Sequence, residues 1–375
     1  MIKNIYNDYS YIGWSSRNEL IKEIKDRKYN KALLLTDETL SNLGLIDKIV
    51  DLLKKNKIDY MLFDEVKSNP TINSVKKGLR LCNKYHMDYI IAFGGGSAID
   101  VAKAISIAYS NPKYKEIANM DGVLELGKDS LPIIAIPTTF SCMDEASNSF
   151  SIYDESKKEK IVGISNSRSN IVSIIDGELM AMMPANLLAI SGISSLFINI
   201  DNFLLQDSNI FADMYIKKAI KLIYDNVEGA INRERESIEN MAIAEYISGL
   251  ALSSTGLGLV QYMAHQLEIY YDIPYSLAII ALFPSVMEYN GAKNLDKVKE
   301  IVDSLGVDNA NLTGMDLLKR LSIALHNLLD RIGLKISISN LGGNYDDIED
   351  MAKKVVNRYK DIPLEDIKKL YKDSF

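Results

Sequence analysis

Cysteine and histidine are both scarce in this chain. Its 375 residues hold two cysteines, Cys82 and Cys142, and three histidines, His86, His265 and His326. Two cysteines cannot build a disulfide framework, and their isolation argues against a thiolate zinc site. Basic charge is also short: 43 Lys and Arg against 50 Asp and Glu give a net charge of −7. A nucleic-acid partner, which needs a clustered basic face, is therefore not expected. The short cluster KKEK (157–160) is offset by neighbouring acids and reads as solvated surface. The longest uninterrupted apolar run, SLAIIALF (276–283), stops at Pro284 and is far short of a membrane span. The opening stretch MIKNIYNDYSYIGWSS carries no apolar core of signal-peptide length, so a cytoplasmic protein is expected. Internal repeats and low-complexity linkers are missing too.

What is present is an ordinary globular composition, 47% hydrophobic and 25% charged, in enough length for two cores. The first half alternates short apolar runs with amphipathic stretches. KALLLTD (31–37), DYMLFDEV (59–66), DYIIAFGGG (88–96), LPIIAIPTT (131–139) and NIVSIIDGEL (170–179) read as buried strands. Helices are expected over 38–55, 71–86 and 97–109, which implies a parallel sheet covered by helices on both faces. From about residue 184 helical periodicity takes over without a convincing strand. The expected architecture is a Rossmann-like α/β nucleotide-binding domain over 1–180 and an all-helical domain over 181–375.

The sharpest local signal is IIAFGGGSAIDVAKAISI, where a strand runs into three glycines and Ser97 opens a helix. Glycine allows close approach of the backbone to a ligand, and a helix N-terminus offers unpaired N–H groups to a pyrophosphate. The spacing differs from GxGxxG, so the common dinucleotide fingerprint does not apply. Asp37, at the end of LLLTD, suits two roles equally well. It can accept hydrogen bonds from the adenosine ribose, or it can cap the helix that follows.

Five blocks occur in order: VKSNPTINSV (66–75), GGGSAIDVAKAI (94–105), IAIPTT (134–139), SIIDGELM (173–180) and MAHQLEIYYDIPYSLAIIALFPSVMEYN (263–290). With these spacings the chain resembles the iron-containing (group III) alcohol dehydrogenases, relatives of glycerol dehydrogenase and dehydroquinate synthase. The resemblance implies an N-terminal NAD(H)-binding domain, a helical C-terminal domain, an active site in the cleft between them, and a homodimer. Carried over by position, Asp37 would face the adenosine ribose and favour NAD over NADP, with Asn69 near the cofactor. Gly94, Gly95, Gly96 and Ser97 would hold the pyrophosphate, with Asp100 on the helix behind them. Thr138 and Thr139 would line the nicotinamide half, while Lys160 and Leu179 would contact ribose and ring. One departure follows the threonines, where relatives carry Ala-Gly-Thr-Gly-Ser-Glu and this chain has FSCMDE (140–145). Only Glu145 is kept. Cys142 takes a threonine's place and is expected as a buried small residue rather than a reactive thiol.

The resemblance also implies a divalent ion held by one Asp and three His, and here the chain departs further. Ser194 stands where the Asp belongs, and Ile198, Gln261 and Tyr275 stand at the three histidine positions. Asp201 is a stray acid nearby. A hydroxyl, an alkyl chain, an amide and a phenol do not make a ligand set for Fe²⁺ or Zn²⁺, so no catalytic metal is expected. His265, which the family also carries without using it as a ligand, is the candidate acid/base; the alternative is a core histidine on an apolar face. Tyr275 and Gln261 are candidate donors to the substrate oxygen in place of the ion.

The expected activity is a metal-independent NAD(H)-linked alcohol dehydrogenase or carbonyl reductase acting on a small alcohol or aldehyde, or on a modified-peptide intermediate of a specialised pathway. The competing expectation is an NAD(H)-binding pseudoenzyme or inactive regulatory subunit.

Overall fold

The computed structural model describes residues 9–140, 143–165, 170–205, 209–360 and 362–375. The chain divides after Pro184 into two compact units.

The first unit is built on nine strands: β1 (Tyr9–Gly13), β2 (Lys31–Asp37), β3 (Asp59–Val66), β4 (Tyr89–Gly94), β5 (Gly122–Leu124), β6 (Ile133–Pro137), β7 (Ser149–Asp154), β8 (Glu159–Ser165) and β9 (Ile171–Asp176). Six of them form one sheet in the order β1-β9-β6-β4-β2-β3. All its pairings are parallel. Its inner strands read as continuous apolar runs because helices cover both faces; every residue of β4 and β9 is buried. The helices here are α1 (Leu20–Asp26), α2 (Glu38–Asn42), α3 (Asp47–Lys55), α4 (Ile72–Tyr85), α5 (Gly96–Ser110) and α6 (Gly177–Met180). A parallel sheet gathers the carboxyl ends of its strands along one edge. The chain leaves β2 toward β3 on one side and leaves β4 toward β6 on the other. The loops after β2 and β4 therefore diverge and open a crevice where such sheets take ligands.

The second unit is helical throughout its described length: α7 (Ala185–Leu204), α8 (Ile210–Ile231), α9 (Arg235–Thr255), α10 (Leu259–Tyr271), α11 (Tyr275–Lys293), α12 (Leu295–Leu305), α13 (Met315–Ile332), α14 (Ile348–Arg358) and α15 (Leu364–Asp373). Helix α7 packs on α8, α10 and α11 and is the core of this unit. Among the described residues α7 is the one helix long and apolar enough by itself to cross a membrane, although serines and asparagines interrupt its apolar run. It is 89% buried within the fold, as the central helix of a bundle must be.

Several elements depart from the sequence expectation. The helix expected over 38–55 is two, because the chain turns at Gly44 with φ +68° between α2 and α3. Strands β1, β5, β7 and β8 and helix α1 were not anticipated. None of the residues of β1 is fully buried, and β5 has three residues. β7 alternates buried and half-buried positions, with Ser and Asp diluting its apolar signal. The KKEK cluster is not uniformly solvated: Lys157, Lys158 and Glu159 are exposed, but Lys160 is 7% exposed. The reason is that Lys160 already belongs to β8, whose antiparallel hairpin with β7 packs against the first unit's helices.

Within that hairpin Gly163 is fixed by crowding. A Cβ there would stand 2.3 Å from Cζ of Phe150 and 2.9 Å from the Met120 carbonyl oxygen. Gly163→Ala should therefore cost about 1–3 kcal/mol by overpacking. Urea unfolding should show a lower midpoint with an unchanged m-value.

Candidate functional site

The first cluster of candidate residues lies in the first unit, where the loops leaving β2, β4 and β6 meet. Gly94 closes β4 with φ +154°, a conformation L side chains rarely adopt, and Gly95 caps α5. A Cβ on Gly94 would lie 3.0 Å from the Ala98 Cβ and 3.6 Å from Oδ2 of Asp37; one on Gly95 would lie 3.3 Å from Oγ1 of Thr139. The Thr138 N–H donates to the Gly94 carbonyl at 3.0 Å. These contacts bring Asp37, Gly94, Gly95 and Thr139 to one place from three strand ends. Gly95, Gly96 and Ser97 are half-buried rather than covered, so the first-turn amides of the fifteen-residue α5 stay accessible.

The loop after β3 joins the same neighbourhood. The Ser97 hydroxyl donates to the Ser68 carbonyl at 2.6 Å, and Lys160 Nζ donates to Oδ1 of Asn69 at 2.7 Å. Asp37 does cap α2, accepting the Leu40 N–H at 2.9 Å through Oδ1, and leaves Oδ2 toward Gly94. Capping and ribose recognition are thus compatible uses of its two oxygens. Burial raises its pKa above the ordinary aspartate value. Thr138 is 1% exposed and its Oγ1 has no hydrogen-bond partner among the described residues. An orphaned hydroxyl and a glycine cradle that any side chain would fill are what a dinucleotide needs, and these residues fit one. Leu179 is buried in α6, which Asp176 caps.

Behind this cluster lies a charged group of which the sequence reading named only Asp100. Asp100 turns toward the hairpin, where Oδ2 accepts the Ser151 N–H at 3.0 Å. Lys103, one turn on, donates to the Ser149 carbonyl at 2.6 Å and lies 3.8 Å from Asp144. Burial raises Asp100 well above the usual carboxylate range, and the neighbouring Asp144 adds to it; Asp144 is raised by burial against the pull of Lys103. The spacing of Asp100 and Lys103 on one helix was the only available hint. Asp176 was also missed: it accepts the Ser15 and Arg17 N–H groups and pairs with the Arg17 guanidinium at 2.8 Å. In the FSCMDE segment Phe140 is buried, and Met143 takes φ +51°, a left-handed conformation. Cys142 lies outside the described residues.

The second cluster lies in the second unit. Gln261 and His265 share one face of α10 at i and i+4, and Tyr275 opens α11 immediately after Pro274. Gln261 Oε1 accepts the Gly258 N–H at 3.0 Å, and Nε2 donates to the Tyr275 hydroxyl at 3.1 Å. The His265 ring stands 5.2 Å from the Tyr275 ring, tilted by 31°. Gln261 and His265 are 5% and 6% exposed; Tyr275 is half-buried. On α7, Ser194 and Ile198 are buried in the core, and the Ser194 hydroxyl has no hydrogen-bond partner among the described residues. His86 and His326 are exposed positions elsewhere, at the end of α4 and on α13.

Asp201 is not a stray acid. It is fully buried, accepting the Val260 N–H at 3.0 Å and the Asn290 amide at 2.9 Å, and burial pushes it up to about 6. It is committed to the backbone at the start of α10. The donor set here does not suit a divalent transition metal. Ser194, Ile198, Gln261 and Tyr275 offer no thiolate, imidazole or carboxylate, and the amide and phenol are bonded to each other. Among the described residues no group of three or more His, Cys, Asp or Glu is placed to hold an ion.

Comparison with known proteins agrees with this architecture. Residues 9–177 match the family "Iron-containing alcohol dehydrogenase", and residues 188–375 match "Fe-containing alcohol dehydrogenase family, C-terminal". The chain is 32% identical over 376 residues to lactaldehyde reductase of Escherichia coli K12, covering 98% of both chains. It is 33% identical over 327 residues to 1,3-propanediol dehydrogenase of Citrobacter freundii, covering 86% of this chain and 84% of that one. Among solved structures, an alcohol dehydrogenase from Oenococcus oeni superposes with a TM-score of 0.94 at 27% identity, covering all of both chains. A 1,3-propanediol oxidoreductase gives a TM-score of 0.93 at 28% identity, again over all of both chains. With both halves matched in order and the fold shared end to end, the chain belongs to the iron-containing alcohol dehydrogenase family, oxidoreductases that act on CH–OH groups.

Proposed function

We propose that the protein is an NAD(H)-dependent alcohol dehydrogenase or carbonyl reductase that works without a catalytic metal. The observation that carries this reading is the Gln261–Tyr275 hydrogen bond: two positions that the family resemblance assigns to metal ligands hold side chains that satisfy one another. The similarity to lactaldehyde reductase and 1,3-propanediol dehydrogenase supports a small aliphatic aldehyde or alcohol as substrate. The reading carries a cytoplasmic homodimer with it.

On this reading the first unit's residues bind the dinucleotide. The α5 amides from Gly95 to Ser97 take the pyrophosphate, helped by the close approach that Gly94 and Gly95 permit. Asp37 Oδ2 accepts from the adenosine ribose and disfavours a 2′-phosphate. Asn69 and Lys160 orient one another, and Thr138, Thr139 and Leu179 line the nicotinamide side. Asp100 supports this set through the hairpin backbone rather than by direct contact. The bound cofactor supplies the hydride. In the second unit His265 is the acid/base, and the hydrogen-bonded pair of Gln261 and Tyr275 supplies the neutral donor where a Lewis acid would otherwise polarise the oxygen.

Two measurements follow. Gly94→Ala forces a side chain into a strained backbone 3.0 Å from the Ala98 Cβ. It should weaken NADH binding by at least about tenfold, on the order of 1.4 kcal/mol, in a fluorescence titration. Equal affinity in wild type and variant would show that the loop does not hold the cofactor. Separately, wild-type protein dialysed against EDTA and shown metal-free by elemental analysis should still oxidise NADH with a panel of short-chain aldehydes. His265→Ala should lower that turnover by about 100-fold. Stoichiometric iron or zinc whose removal abolishes turnover would refute metal independence. NADH binding without turnover of any aldehyde would favour a cofactor-binding pseudoenzyme.

A further inference from the structure

The Gln261 amide has a defined orientation. Gly258 N–H is a pure donor, so the atom facing it at 3.0 Å must be the carbonyl oxygen, Oε1. That fixes Nε2 toward Tyr275, and the phenol oxygen is the acceptor of the 3.1 Å bond. A hydroxyl that accepts from an amide directs its own proton away from that amide and donates it more strongly, because chained hydrogen bonds polarise one another. The three polar side chains also differ in access. Gln261 at 5% and His265 at 6% exposure are enclosed, while Tyr275 is half-buried at the first turn of α11.

Resting on the metal-independent reading above, the geometry points to a division of labour: Tyr275 is the catalytic proton donor to the carbonyl oxygen, and Gln261 is a positioning residue that acts only through Tyr275. In the reducing direction the carbonyl carbon gains the hydride that NADH supplies, and the C=O π pair becomes a lone pair on oxygen. The Tyr275 O–H bond breaks and its proton forms the new O–H bond of the alcohol. The phenolate left behind regains a proton from solvent by way of His265, the acid/base of that reading, whose ring is packed beside its own. The sum is carbonyl, NADH and one proton giving alcohol and NAD⁺. The arrangement also places the amide's restraint at both ends: Gly258 holds Oε1, so the Nε2 donor cannot rotate away from the phenol without losing the α10 cap.

A double-mutant cycle on the full chain, metal-free and with the best aldehyde of the panel, tests this. Gln261→Glu is the informative substitution. One carboxylate oxygen can keep the Gly258 cap while the other accepts the Tyr275 O–H and withholds its proton. Tyr275→Phe should lower kcat by about 100-fold. Gln261→Glu should lower kcat by at least about tenfold with KM changed by less than about twofold, and the double variant should be no slower than Tyr275→Phe alone. Multiplicative losses in the double variant, or a Gln261→Glu effect confined to KM, would overturn the assignment, because Gln261 would then act on the substrate itself. A second readout needs no turnover. In protein labelled at tyrosine ¹³Cζ, the resonance that disappears in Tyr275→Phe should move in Gln261→Leu. An unmoved resonance would overturn the pairing even if Gln261→Glu failed to fold. Absence of turnover in metal-free wild type would sink the underlying reading, whereas turnover with multiplicative losses would sink only this division of labour.

Discussion

One fully buried carboxylate ties together three helices of the second unit. Asp201, on α7, accepts the Val260 N–H at the start of α10 with one oxygen and the Asn290 amide of α11 with the other. The three helices it joins are those that carry Ser194 and Ile198, Gln261 and His265, and Tyr275. The approach is so close that a side chain at Gly258 would collide with the carboxylate: a Cβ there would stand 2.2 Å from its Oδ2. Gly258 is in turn the residue whose N–H fixes Gln261. Burial without a cation raises the carboxyl to about 6, so the fold keeps this group at an electrostatic cost that hydrogen bonds to the charged form partly offset. The polar triad near Tyr275 is accurate only because this anchor sets where α10 begins.

The loop cluster of the first unit is governed by a different constraint, the topology of a parallel sheet. Strand ends that are far apart in sequence, at residues 37, 94 and 137, share one edge because β2, β4 and β6 are neighbours pointing the same way. Glycine at 94 and 95 then removes the side chains that would close the crevice between them. The hairpin of β7 and β8 supplies Lys160 to the same edge, and it is held in place by Asp100 and Lys103 reaching from α5 to its backbone. The buried charges there support the site from behind.

How much of this is legible in the sequence depends on the physical signal each element leaves. Runs such as KALLLTD and YIIAFG are apolar on both faces, and the structure makes them β2 and β4. Helices α7 to α15 announce themselves by the apolar periodicity that takes over from about residue 184. The hairpin was invisible because half of each strand is polar and its pairing partner is local in sequence but not patterned as a strand. Lys160 could be named from family resemblance, yet composition placed it on the surface. The structure brings it to Asn69. Asp201 and the orientation of Gln261 left no sequence signal, since both depend on which backbone N–H lies opposite, a property of packing.

That last point bears on how a metal-binding fold can carry a site of this kind. Positions 261 and 275 lie on different helices, and in a chain with histidines there both would have to face an ion between them. In this chain the amide and the phenol face each other, so the attraction that an ion would have supplied across α10 and α11 is replaced by a direct hydrogen bond. Ile198 and Ser194 fill the α7 side with hydrocarbon and a small buried hydroxyl, and neither brings a charge. The electrostatic balance follows. A cationic centre favours an alkoxide by direct coordination, while a neutral phenol favours it by giving up a proton as the charge develops. Under the proposed mechanism, chemistry at such a site depends on the geometry of one hydroxyl, and the Asp201–Gly258–Gln261 series is the part of the fold that sets it.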